Sequence, residues 1–119
     1  MEEKITNRVL LMGNLGKDPE VKELQGGKRL ARFSVATNER FSYGDGQTKE
    51  DTQWHSVIAW GRTAEQVARQ LRKGSRLSLE GRLVHRVYET KEGQKRYVTE
   101  VVMNSFALEG PREETAEAA

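Results

Sequence analysis

The chain has no cysteine and only two histidines and two prolines in 119 residues, and each shortage removes a class of function. Without cysteine there is no disulfide framework, no thiolate zinc site and no cysteine nucleophile. His55 and His85 have no cysteine beside them, so a structural zinc site is not expected. No apolar run approaches the ~20 residues that a membrane-spanning helix needs. The start, Met1-Glu2-Glu3-Lys4, lacks the apolar stretch of a signal peptide, and cytoplasmic residence follows as the default expectation. Gly13-Asn14-Leu15-Gly16-Lys17 lacks the spacing of a phosphate-binding P-loop. No Ser/His/Asp set is identifiable, and Asp45 and Asp51 have no partnered base or nucleophile. The expectation is a protein that is not an enzyme, uses no metal or cofactor and has no membrane partner.

What the chain does contain is glycine, 11 residues against the two prolines, with 35% hydrophobic and 32% charged residues. That balance suits strands joined by tight hairpins better than a disordered chain. The formal net charge of +2 hides an uneven distribution. The last eleven residues hold four Glu and one Arg, a net of −3, which leaves 19 Lys+Arg against 14 Asp+Glu, a net of +5, in the rest. A mildly basic body, residues 1–109, therefore precedes a short acidic tail, residues 110–119. One domain is expected at this length.

Periodicity organises the body. Residues 5–12 are β-branched and apolar and read as a strand, closed by a turn at residues 13–16. Residues 20–24 alternate briefly before Gly26-Gly27, a hairpin signal, and residues 29–37 alternate clearly. Residues 38–51 read as a polar loop holding Phe41 and Tyr43, and residues 52–60 as a further strand. One helix follows, with Thr63 as candidate N-cap, Ala64, Val67, Ala68 and Leu71 as its apolar stripe, and Gly74 as its end. Residues 77–90 and 95–108 complete the strands. This is an all-β chain with one helix, and a helix between the third and fourth strands is the order of the OB-fold, a five-stranded Greek-key barrel. Closure into a barrel also removes exposed strand edges.

The period of two places Trp54, Ser56, Ile58 and Trp60 on one face of their strand and His55, Val57 and Ala59 on the other. Large aromatics exposed on a strand offer stacking platforms for unpaired bases, whereas buried ones would belong to a core or a subunit contact. Basic residues recur beside the aromatics. Arg40 and Lys49 flank Phe41 and Tyr43, Arg62 follows Trp60, Arg82 and Arg86 share a strand face with Tyr88, and Lys91, Lys95 and Arg96 crowd the last hairpin. Arg72 and Lys73 could instead serve a helix C-terminus, where cations favour the macrodipole. Aromatic and basic residues recurring together on strands and loops point to nucleic acid.

Several stretches resemble the bacterial single-stranded-DNA-binding protein family: Val9-Leu10-Leu11-Met12-Gly13-Asn14-Leu15-Gly16-Lys17-Asp18-Pro19-Glu20-Val21, Phe33-Ser34-Val35-Ala36-Thr37-Asn38, Thr52-Gln53-Trp54-His55-Ser56-Val57, Leu71-Arg72-Lys73-Gly74-Ser75 and Glu80-Gly81-Arg82-Leu83. They keep the family's order across nearly the whole chain. The resemblance implies sequence-tolerant binding and protection of single-stranded DNA in replication, recombination and repair, by a cytoplasmic, nucleoid-associated homotetramer. It implies stacking on Trp54, Trp60, Tyr88 and the loop aromatic Phe41, and phosphate contacts by Arg8, Lys49, Arg62, Lys73 and Arg86. Assembly is implied through the N-terminal strand and the surface near His55. Trp60 and Tyr88 replace other aromatics common at those positions, while Val87 and Ser56 stand where basic residues are common. Family members continue through a Gly/Pro/Gln-rich linker to an acidic tip ending in Pro-Phe; the sequence shows neither, so recruitment of repair enzymes through such a tip is not expected. The competing readings are a primosome-type OB-fold subunit that binds other proteins and a cold-shock-like RNA-binding barrel. The three aromatics Trp54, Trp60 and Tyr88 argue against the first, and the central helix argues against the second.

Overall fold

Alternating apolar and polar side chains carry the chain into six strand segments and one helix: β1 (Val9–Leu15), β2 (Glu20–Glu23), β3 (Arg29–Ser42), β4 (Thr48–Trp60), α1 (Gly61–Gln70), β5 (Arg76–Glu89) and β6 (Lys95–Leu108). The computed structural model describes residues 5–110; residues 1–4 and all but the first residue of the acidic tail lie outside the described residues. The strands hydrogen-bond in the order β1-β5-β6-β4-β3-β2, and β1 also pairs with β3, which closes the sheet. β2 lies further along the same edge of β3 that β1 occupies, so six segments fill five barrel positions. The helix falls between the third and fourth of them, as the OB-fold order requires.

The core is filled from inside the ring. Val35, Val57, Ala59, Leu77, Leu79, Val101 and Met103 point inward, and Ala64, Val67 and Leu71 close one end from the helix side. Full burial of a side chain such as Leu71 or Leu77 stabilises the fold by about 1.5–3 kcal/mol. Past the barrel, β3 with β4 and β5 with β6 continue as two-stranded ribbons whose residues are mostly exposed.

Four local expectations need correction. First, residues 13–15 are strand, not turn: β1 starts at Val9 and runs on to Leu15. Gly13 is buried where β1 meets β3, and a Cβ there would lie 2.1 Å from the Ala36 carbonyl oxygen. The glycine thus allows the close backbone approach that shuts the barrel, a second use of the residue type besides turning. Second, residues 38–51 are mostly ribbon. β3 and β4 pair without interruption from Leu30↔Trp60 to Ser42↔Thr48, leaving a turn of five residues, 43–47. Its polar composition reflects two wet faces rather than a loop. Third, Thr63 does not cap the helix, which begins at Gly61 with Trp60 in the cap position and no side-chain cap bond. Fourth, Ala68 is exposed, and the helix ends at Gln70, so Arg72 and Lys73 lie beyond its last turn. Gly74, with a φ of +87°, instead turns the chain so that its N–H donates to the Leu15 carbonyl. Among the described residues no helix is long and apolar enough to cross a membrane.

Candidate nucleic-acid interface

β4 places Trp54 and Trp60 on the outer face of the barrel, six residues apart, which is about 20 Å at ~3.3 Å per residue. Their exposures of 60% and 44% rule out a core role within this chain. Between them Ser56 is exposed and Ile58 is buried beside its cross-strand partner Val102, so the two indoles are separate platforms. Trp54 lies over Gly16: a Cβ there would sit 2.7 Å from Cη2 and Cζ3 of the ring. One part of the indole is thereby backed by the β1–β2 turn while the rest stays open to solvent.

Tyr88 joins this face from β5, together with Arg82, Val84 and Arg86. Its direct partner across β6 is Arg96. Phe41 sits opposite Lys49 on the β3–β4 ribbon. Directly opposed residues have Cβ atoms about 4.5–5.5 Å apart, so each ribbon carries a rung that pairs an aromatic with a cation. Phe41 is a strand residue, not the loop residue expected, and it pleats with the inward series Phe33, Val35 and Thr37. Trp54, Trp60 and Tyr88 therefore share a face that Phe41 does not.

The expected cations occupy different situations. Lys49 and Arg62 are exposed, with Arg62 two residues beyond Trp60 at the start of the helix. Lys73 is exposed in the turn after the helix, where its backbone N–H donates to Asp18 Oδ1 at 2.8 Å. Arg8 is tied by its Nε to Glu80 Oε2 at 2.9 Å, on the β1 side of the barrel and away from the tryptophans. Arg86 donates through Nε to Glu100 Oε1 at 2.9 Å, and that hydrogen bond, with the carboxylate's charge, raises its pKa further. His55 faces inward, half-buried, with Nε2 2.9 Å from Thr37 Oγ1.

In front of Trp54 the surface opens into a groove of about 770 Å³, lined among others by Lys17, Arg32, Ser34, Ser56, Val98 and Glu100. β4 and β6 pair only at Val57↔Val101 and Ile58↔Val102; beyond these rungs the strands part, and small Ser34 and Ser56, opposite each other on β3 and β4, keep the floor low. Sequence pattern alone assigns no binding role to Lys17, Arg32 or Glu100. Arg32 stands within a clear alternation on the outer side of β3, a signal that allowed its inclusion; Glu100 gave none, because nothing in sequence shows that its partners lie on β3 and β5. Among the described residues no group of three or more His, Asp or Glu is placed to hold a metal.

The Single-strand binding protein family profile matches residues 6–108. The curated "Single-stranded DNA-binding protein 1" of Chlorobaculum tepidum is 38% identical over 108 residues, covering 90% of this chain and 67% of that protein. Among solved structures, the Plasmodium falciparum SSB in complex with single-stranded DNA is similar at a TM-score of 0.81 and 30% identity, over 92% of this chain and 99% of that one. A closed five-strand barrel, two exposed tryptophans on its outer face and a profile match from Thr6 to Leu108 converge: the chain belongs to the single-strand binding protein family.

Proposed function

We propose that this protein holds single-stranded DNA by stacking bases on Trp54, Trp60, Tyr88 and Phe41 while Lys49, Arg62, Lys73 and Arg86 meet the backbone phosphates. The family binds DNA without catalysis, and replication and repair roles are typical of it. The observation that carries the stacking mechanism is the pair of indoles on one outer face, each near half exposure or above. A stacked base contributes about 1–3 kcal/mol whatever its identity, because every base has a π-face. Phe41 lies on the other face of its ribbon, so a strand using both Phe41 and Trp54 passes round the ribbon's edge. Arg8, held by Glu80 on the β1 side, contributes least among the expected cations.

The proposal extends to assembly as a homotetramer. The supporting feature is the exposed aliphatic surface on β1 and the neighbouring parts of β5 and β6, with Leu10 and Met12 at its centre. The deciding experiment is a titration of tryptophan fluorescence with oligo-dT. Strong quenching with saturation is expected; no quenching together with no mobility shift at low salt would reject the reading.

A further inference from the structure

Glu100 is the one charged side chain that is buried among the described residues, at 3% exposure. A carboxylate in that position is costly unless it is paired and hydrogen-bonded. Both of its oxygens are engaged: Oε2 accepts from Arg32 Nη1 and Oε1 from Arg86 Nε, each at 2.9 Å. The two arginines come from β3 and β5, so the carboxylate links those strands across the place where β4 and β6 part, with Arg32 and Glu100 on the groove itself. The cluster carries one negative and two positive charges, a net of +1.

Each guanidinium has five N–H donors in a planar fork. One donor from each goes to Glu100, and the arginine side chains remain 42% and 41% exposed, which leaves both with donors to spare; Arg32 lines the groove, and Arg86 stands on the other side of Glu100. Sharing one carboxylate holds the two guanidiniums on the two oxygens of a single small group. On the outer face, Arg32 follows Trp54 by two cross-strand rungs, about 13 Å along the strand at ~3.3 Å per residue. Ser34 and Ser56 occupy the rung between them and leave the way open.

We infer that Glu100 is a positioning residue that braces Arg32 and Arg86 as a paired site for one backbone phosphate of a strand whose base stacks on Trp54. This rests on the DNA-binding reading above and adds Arg32, which that reading did not assign. The carboxylate fixes the direction of both forks before the ligand arrives, which lowers the ordering cost of binding. Because the cluster nets +1, removing either arginine leaves the other cancelled by Glu100. Each arginine is therefore needed for the whole effect of the site.

The test is oligo-dT affinity as a function of salt for the full chain and its Arg32→Ala, Arg86→Ala and Glu100→Gln variants, with circular dichroism to verify folding. In single-strand binding, each phosphate left without its cation lowers the slope of log K against log salt by about 0.7. An equal fall of about that size is expected for Arg32→Ala and for Arg86→Ala. Glu100→Gln raises the local positive charge by one unit, so charge alone predicts tighter binding. Positioning predicts the opposite, a loss of roughly tenfold at moderate salt, the order that one charge-assisted hydrogen bond is worth. A slope that falls in Arg86→Ala but not in Arg32→Ala overturns the inference, as does unchanged or tighter binding by folded Glu100→Gln. If Glu100→Gln does not fold, the two half-exposed arginine variants decide alone. Failure of the unmodified chain to bind oligo-dT would reject the DNA-binding reading itself; normal binding that is abolished in Trp54→Ala but untouched in the arginine variants would reject only this site.

Discussion

The outer face of β3 and β4 and the outer face of β1 with the adjoining parts of β5 and β6 are both exposed and both partly apolar, yet they are built from different side chains. The first carries Trp54 and Trp60, with Lys17 and Arg32 along its groove. The second carries Leu10 and Met12 beside a cleft of about 470 Å³ that Ser78, Glu80, Ser105 and Phe106 also line. Two cations border it: Arg76, whose Nη2 lies 3.6 Å from Met12 Sδ, and Arg8, which is paired with Glu80. Rigid aromatic planes beside cations suit a polyanion with flat bases. Flexible aliphatic and thioether side chains suit the irregular surface of another protein. The same barrel thus offers two chemistries, and the contrast supports assigning DNA to one face and subunit contact to the other.

The sharpest break in this contrast should come from Trp54→Ala, which is expected to weaken oligo-dT binding by about 1–3 kcal/mol, a factor of roughly 5 to 150. Fluorescence or anisotropy titration measures it; a change below twofold would show that the indole is not a platform. Met12→Glu attacks the other face. It should weaken self-association by roughly tenfold or more, because a charge would enter an apolar contact. Sedimentation velocity reads the change, and an unaltered mass at every concentration would remove β1 from the interface.

A smaller effect is expected from Gly16→Ala. The added Cβ would collide with the indole at 2.7 Å, so the ring must tilt away from its backing. We expect a loss of about threefold to tenfold in affinity, less than removal of the ring, with a shift in tryptophan emission of the free protein. Unchanged emission would mean that Trp54 does not rest on that turn in solution. The smallest expected change is Lys49→Ala, a fall of about 0.7 in the salt slope and a loss that shrinks as salt rises. Trp54→Ala should leave the slope nearly intact, and equal slopes for the two variants would erase the division between stacking and phosphate contact.

Much of this layout was legible because its cause is local. The alternation through β4 assigned Trp54 and Trp60 to one face and Val57 and Ala59 to the other, and Ala64, Val67 and Leu71 marked the buried side of the helix. Local pattern misled where one residue type serves two ends. Gly13 resembles a turn glycine but lets two strands touch, and the polar run after Asn38 resembles a loop but is a ribbon with no core to cover. The family resemblance groups Phe41 with Trp54, whereas strand parity separates them.

By itself, then, the amino-acid sequence determined the strand periodicity, the single helix, the aromatic-and-basic character of the surface and, through its matching motifs, the family. These depend on side-chain type at short spacing. Only the tertiary structure decided which cations stand alone and which share a carboxylate. Arg32 and Glu100 are 68 residues apart, and Arg8 and Glu80 are 72 apart, so no window of sequence contains either pair. Barrel closure brings them within hydrogen-bond distance, and at that range a neighbouring carboxylate sets what an arginine can still hold.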